Sequence, residues 1–164
     1  MRLRIWSARG AAALIVACAA LAAGPRPGTA APWVNMNPGA GGAFTSIGAG
    51  PTGILIAGSD LSGAYRSLDH GATWDVIGSF RGLAHTHVNS IGFDPTDAQI
   101  LYLGAEDALY RSADGGATFR AVLDSAFISA VAPAPSAPEI VYAGSAISYD
   151  ARDGHVFRSG DRGL

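Results

Sequence analysis

The chain has 164 residues, enough for one ordinary domain, and only 15% of them are charged. All eleven basic residues are arginine, and seven of these against thirteen acidic residues give residues 31–164 a net charge of −6. That balance excludes a polyanion partner such as nucleic acid, which needs a basic stripe to displace counterions.

In chain order, residues 1–30 read as a secretory signal peptide. Arg2, Arg4 and Arg9 make a positive start, and Ala11 to Ala23 is an apolar run too short to span a bilayer. Gly24, Pro25 and Pro27 break that run before Gly28-Thr29-Ala30, so a helix is expected only within the leader, with cleavage after Ala30. Ile15-Val16-Ala17-Cys18 also resembles a bacterial lipobox, in which Cys18 carries a lipid and becomes residue one. The other reading makes Cys18 a small apolar member of the run. Both readings predict a secreted or cell-envelope protein, touching a membrane only through a lipid on Cys18. Neither leaves a cysteine for an internal disulfide.

Residues 31–164 are organised by a repeat. Ser67-Leu68-Asp69-His70-Gly71-Ala72-Thr73-Trp74 recurs as Ser112-Ala113-Asp114-Gly115-Gly116-Ala117-Thr118-Phe119, and again from Ser159-Gly160-Asp161-Arg162-Gly163 to Leu164. The offsets are 45 and 47 residues, and each copy follows an aromatic-Arg pair ending in Arg66, Arg111 or Arg158. Upstream, Phe44–Gly48, Val88–Gly92 and Ile128–Val131 align as one set of short apolar segments, and Ile54–Gly58, Ile100–Gly104 and Ile140–Gly144 as another. Each unit therefore predicts four short strands within about 45 residues, the size of a propeller blade. The expected fold is all-β: a partial propeller of about three four-stranded antiparallel blades, its ring not closed. Two sheet edges are then exposed, which favours aggregation of these units alone, whereas a full-length parent is expected to be monomeric.

The repeated octet resembles the Asp-box, or BNR repeat, of sialidases, sortilin-type receptors and several glycan-hydrolase propellers. Ser67, Asp69 and Gly71, with their counterparts Ser112, Asp114, Gly116, Ser159, Asp161 and Gly163, suit a tight turn. Hydroxyl and carboxylate accept backbone N–H bonds, and glycine supplies positive φ. Trp74 and Phe119 are expected to pack between neighbouring blades. A carboxylate that recurs once per blade is scaffolding rather than a catalytic or calcium-binding group.

Antiparallel connections alternate between the two ends of the strands, so the repeated turn occupies one rim and the second-to-third-strand loop the other. That second rim collects Asp60 with Ser59 and Ser62, Arg81, His85, His87, the pair Glu106-Asp107, and Tyr149, Asp150 and Asp153. Asp60 leads, because it directly follows a buried strand and small residues flank it. His85-Thr86-His87 has the alternating spacing that would put both imidazoles on one side of a strand. No cysteine or third ligand accompanies them, so metal is not expected. Glu106-Asp107 reads as a solvated loop pair, and the recurring arginines as structural.

Pro32-Trp33-Val34-Asn35-Met36, then Gly39-Ala40-Gly41-Gly42, and above all Ser59-Asp60-Leu61-Ser62-Gly63-Ala64-Tyr65-Arg66, resemble glycoside hydrolase family 74, the xyloglucan-cleaving endoglucanases. That family has a T-D-I-G-G-A-Y-R-like string, from which Ser59, Leu61 and Ser62 are mild departures. The resemblance covers about residues 32–132. It implies two tandem seven-bladed propellers with a polysaccharide cleft between them, inverting chemistry, no cofactor, and Asp60 as general base. Ser59, Tyr65, His85 and His87 are then the candidates to face the glycan. An inverting enzyme needs a second carboxyl group, which the family takes from its second propeller, so these residues alone are expected to be inactive. The chain thus reads as the N-terminal piece of a longer propeller. A non-catalytic Asp-box propeller that binds protein or glycan, like sortilin or the photosystem II assembly factors, stays open as the alternative, as does a degenerate remnant without activity.

Overall fold

The structure, a computed structural model, describes residues 32–39, 41–124, 127–145 and 154–164. The leader, Cys18, Tyr149, Asp150 and Asp153 lie outside the described residues. Residues Asn35–Leu164 form one compact unit, and Met1–Val34 a separate one of which only residues 32–34 are described.

Among the described residues there is no α-helix, and eleven strands make three antiparallel sheets in which neighbours in sequence are neighbours in space. The first sheet is β1 (Phe44–Ala49), β2 (Leu55–Ser59), β3 (Ala64–Ser67) and β4 (Asp75–Ile77). The second is β5 (Val88–Phe93), β6 (Leu101–Ala105), β7 (Ala108–Ser112) and β8 (Arg120–Asp124). The third has three described strands, β9 (Ile128–Pro133), β10 (Val141–Ser145) and β11 (Val156–Ser159). β1 lies against β5 and β5 against β9, so the sheets stack as blades of an open propeller arc.

Stacking explains why alternation in burial fails in the middle blade. Every residue of β6 and β7 is buried, whereas β1 is mostly exposed. Side chains still alternate by direction. Leu101, Leu103, Ala105, Ala108 and Tyr110 face the first sheet and join Ile54, Ile56, Ile77, Leu83 and Val88 in one apolar cluster. Tyr102 and Leu109 face the other way and meet Ile128, Val141 and Ala143 of the third sheet in a second cluster.

Each third strand runs into the repeated polar turn. Ser67 Oγ accepts from the Gly71 N–H at 2.8 Å and donates to Asp69 Oδ1 at 2.8 Å. Asp69 in turn accepts from the Thr73 N–H at 2.8 Å and the Thr73 hydroxyl at 2.6 Å. Ser112, Asp114, Gly116 and Thr118 repeat this pattern, and Ser159, Asp161 and Gly163 repeat its first half. The bonds hold two successive residues at positive φ, His70 (59°) and Gly71 (89°), Gly115 (67°) and Gly116 (79°), Arg162 (61°) and Gly163 (70°). Left-handed backbone is costly for histidine and arginine and nearly free for glycine.

Truncating Leu103, fully buried at the first joint, to alanine should cost about 3 kcal/mol in urea unfolding. Ile47→Ala on the exposed face of β1 should stay within about 0.5 kcal/mol; equal losses would contradict the assigned core. The turns also predict an acid limb. The Thr73 hydroxyl and N–H and the Ser67 hydroxyl draw the Asp69 carboxyl down to about 2. Burial pushes Asp114 up, but the Thr118 hydroxyl and N–H outweigh it, and the Ser159 hydroxyl leads the downward shift at Asp161. A depressed folded pKa contributes stability above the unfolded value of about 3.9 and loses it as pH falls through the folded value. The urea midpoint should therefore hold from pH 7 to about pH 5 and fall between about pH 4 and about pH 2. The Asp69→Asn, Asp114→Asn double variant should start lower and flatten that fall; a parallel curve would detach the turns from it.

Candidate functional site

The β2–β3 connection lies at the rim opposite the Ser-Asp turns, because Leu55 pairs with Ser67 at one end of the hairpin and Gly58 with Ala64 at the other. The connection is closed by the Ser59 N–H on the Gly63 carbonyl at 2.8 Å. Ser59 Oγ accepts from the Leu61 and Ser62 N–H groups, both at 3.3 Å, which makes a local turn typical of serine. Asp60 then projects from the apex, half-buried.

The segment before β1 seats it. Asp60 Oδ1 accepts from the Ala43 N–H at 2.8 Å, the Asp60 N–H donates to the Ala43 carbonyl at 3.1 Å, and the Ser62 hydroxyl donates to the Gly41 carbonyl at 2.6 Å. Gly42 has φ of 96°, and a Cβ there would collide with Asp60 Oδ1. Among the described residues the carboxylate makes no second hydrogen bond. Register shifts at Phe44/Ser46, and in the next blade at Val88/Ser90, kink the first strands beside this rim; such irregularities re-aim side chains.

The four residues expected to face a ligand divide into two pairs. Ser59 is 1% exposed and Tyr65 6%, so both lie beneath the surface. Ser59 shapes the turn, and Tyr65 packs edge-on against the Phe44 ring at 6.1 Å. His85 and His87 are partly exposed and lie in the link between the first two blades rather than on a strand. That link is tied to the Asp60 loop by the Gly63 N–H on the Thr86 carbonyl at 2.8 Å. Both imidazoles turn to one carboxylate: His87 Nδ1 is 2.8 Å from Glu106 Oε1, and His85 Nε2 is 3.6 Å from Glu106 Oε2.

Glu106-Asp107 is therefore not a freely solvated pair. Asp107 accepts from the Tyr110 hydroxyl at 2.6 Å. Burial, then the bond to Asp107 and its charge, push that phenol up to about 12. Phe127 stands edge-on to His87 at 6.3 Å. Among the described residues, no group of three or more His, Cys, Asp or Glu is arranged to hold a metal.

The two aromatic residues that follow the repeated turns have different surroundings. Phe119 is buried between the first two sheets, and its N–H donates to the Arg81 carbonyl at 2.7 Å. Trp74 instead stands over the segment before β1, its Nε1 donating to the Met36 carbonyl at 3.0 Å. It lines a groove of about 560 Å³ with Asn35–Pro38 and Phe44–Ile47. Sequence reading also passed over Asp94, which is fully buried beside Arg162 of the third blade's turn at 3.4 Å. Burial pushes its carboxyl up, but N–H bonds from Thr96 and Asp97, the Thr96 hydroxyl and the Arg162 charge hold it below the usual range. The Asp-Pro-Thr-Asp run at Asp94–Asp97 signalled a turn. Nothing local signalled Arg162.

No family model matches this sequence, and no curated protein matches it. Solved structures do. An ancestral GH74 enzyme matches at 24% identity over 82% of this chain and 19% of its own, with a TM-score of 0.68. A GH74 enzyme of Niastella koreensis matches at 23% identity over 79% of this chain and 22% of its own, with a TM-score of 0.63. The GH74 xyloglucanase from Xanthomonas campestris matches at 26% identity over 80% of this chain and 21% of its own, again with a TM-score of 0.63. The chain thus spans about a fifth of the length of these enzymes and shares the fold of that part. No described helix is long and apolar enough to cross a membrane.

Proposed function

We propose that residues 31–164 are the opening blades of an exported glycoside hydrolase of the xyloglucan-cleaving type, with Asp60 as general base. The observation that carries this is the seat of Asp60. Its Oδ1 is oriented by the Ala43 N–H at the rim opposite the polar turns, while Oδ2 makes no hydrogen bond among the described residues. An oriented carboxylate with one free oxygen can take a proton from a water molecule attacking an anomeric carbon. Inversion needs a second carboxyl group, about 6.5–9.5 Å away, to protonate the leaving oxygen. In this reading that acid comes from a further propeller, so the 164 residues bind glycan without cleaving it. Both proton transfers belong to carboxyl groups, and no cofactor takes part.

The rest of the chain fits that role. The three polar turns are Asp-boxes, which brace the blades. His85 and His87 border the glycan path, and the parent acts as a monomer on a β-glucan polysaccharide. Residues 1–30 direct export, by cleavage after Ala30 or through a lipid on Cys18. A second reading, a non-catalytic propeller that binds glycan or protein, is favoured by the same Ala43 bond, since a carboxylate that pins a segment has a structural use of its own.

A chimera separates the two. With residues 32–132 replacing the corresponding blades of a family 74 xyloglucanase, reducing-end release from xyloglucan should be retained. Asp60→Asn in that chimera keeps an oxygen to accept from Ala43 and should slow release by about 10²–10⁴-fold, the usual worth of a general base. An unchanged rate would remove Asp60 from catalysis and leave the binding module.

A further inference from the structure

Strand register brings two links of the chain together at the rim that carries Asp60. Val88 at the start of β5 pairs with Ala105 at the end of β6, which sets His87 opposite Glu106. The turn that holds Glu106 is pinned on both sides. Its carbonyl accepts from the Phe127 N–H at 2.7 Å, and Asp107 accepts from the hydroxyl of the buried Tyr110 at 2.6 Å. Phe127 has φ of 53°, a costly conformation for an aromatic residue, and its ring flanks His87 edge-on.

The hydrogen bonds of this cluster assign a proton to each imidazole. The His87 N–H donates to His85 Nδ1 at 3.3 Å, so that nitrogen is an acceptor. The neutral His85 ring then carries its proton on Nε2, which faces Glu106 Oε2. Glu106 Oε1 stands 2.8 Å from His87 Nδ1, and a carboxylate can only accept. The neutral His87 ring therefore carries its proton on Nδ1, the reverse of His85. Its Nε2 keeps a lone pair and has no hydrogen-bond partner among the described residues, in a side chain that is 28% exposed.

We propose that Glu106 is a positioning residue for glycan binding: it holds His87 in the Nδ1–H form, so that Nε2 accepts a hydrogen bond from a sugar hydroxyl. This rests on the reading of the rim as a glycan path. A hydroxyl suits that nitrogen because it can donate. An ionised carboxylate on a ligand has no proton to donate, and it would meet the like charges of Glu106 and Asp107. Fixing the ring before the ligand arrives also spares the cost of ordering it on binding. Without the Glu106 carboxylate the proton is free to move to Nε2, and the ring is free to turn.

The test is imidazole nitrogen NMR on the full 164-residue chain, at a pH where the rings are neutral, with and without a xyloglucan oligosaccharide. The His87 signals are identified by their loss in His87→Gln. His87 should show a protonated Nδ1 and an unprotonated Nε2, and His85 the reverse. Glu106→Ala should shift His87 toward the Nε2–H form and raise the Kd of the oligosaccharide about tenfold, the worth of one hydrogen bond. Glu106→Gln, whose amide oxygen still accepts, should stay near the parent in both respects. Added oligosaccharide should move the Nε2 signal of the parent chain. A parent His87 protonated on Nε2, or one unchanged by Glu106→Ala, would overturn the role of Glu106. Oligosaccharide that binds without moving the Nε2 signal removes the sugar contact. The expected proton positions in a chain that binds no oligosaccharide would instead sink the glycan path, and this contact with it.

Discussion

The arrangement depends on one contact: a small residue on the inner strand of one sheet receiving an apolar side chain from the inner strand of the next. Gly48 and Gly92 play this part, and any larger side chain there would meet Ile91, Phe93, Val131 or Pro133 at less than contact distance. Close approach removes the inner strands from water and lets Leu101, Leu103 and Tyr102 fill the wedge between sheets. Without it the sheets would be separate antiparallel meanders, each with one apolar face in water and little independent stability.

Polar groups lock the angle that this packing leaves soft. The Arg66–Gly115 and Tyr102–Arg162 bonds join consecutive blades at the turn rim, and the buried Asp94 pairs with Arg162 close by. At the opposite rim Glu106 gathers both histidines of the preceding link. A carboxylate withdrawn from water needs such partners to offset its lost hydration. The turn rim is therefore tied from blade to blade, and hydrogen bonds within the turns hold its carboxyl groups below the usual range.

Asp60 stands apart from the scaffolding carboxylates in how it is held. Asp69 and Asp114 each use both oxygens within their own turns, and Asp94 is sealed between blades. Asp60 spends one oxygen on a segment seventeen residues earlier in the chain, and its other oxygen makes no hydrogen bond among the described residues. That is the arrangement a proton-accepting carboxylate needs, and it is also what a simple pin would show.

The repeat of Ser, Asp and Gly at fixed offsets determined the hairpins, their turns and the rim on which Asp60 lies, because each is decided by neighbours a few residues apart. The three aligned units also determined the all-β class. Tertiary structure alone decided that Glu106 would bind His85 and His87, that Asp94 would meet Arg162, and that Ser59 and Tyr65 would be buried. It also separated Phe119, enclosed between two sheets, from Trp74, which covers an outer face, although both follow the same motif. These outcomes depend on which blade packs beside which, and the residues involved are far apart along the chain. No local pattern encodes a distance that exists only once two sheets have come together.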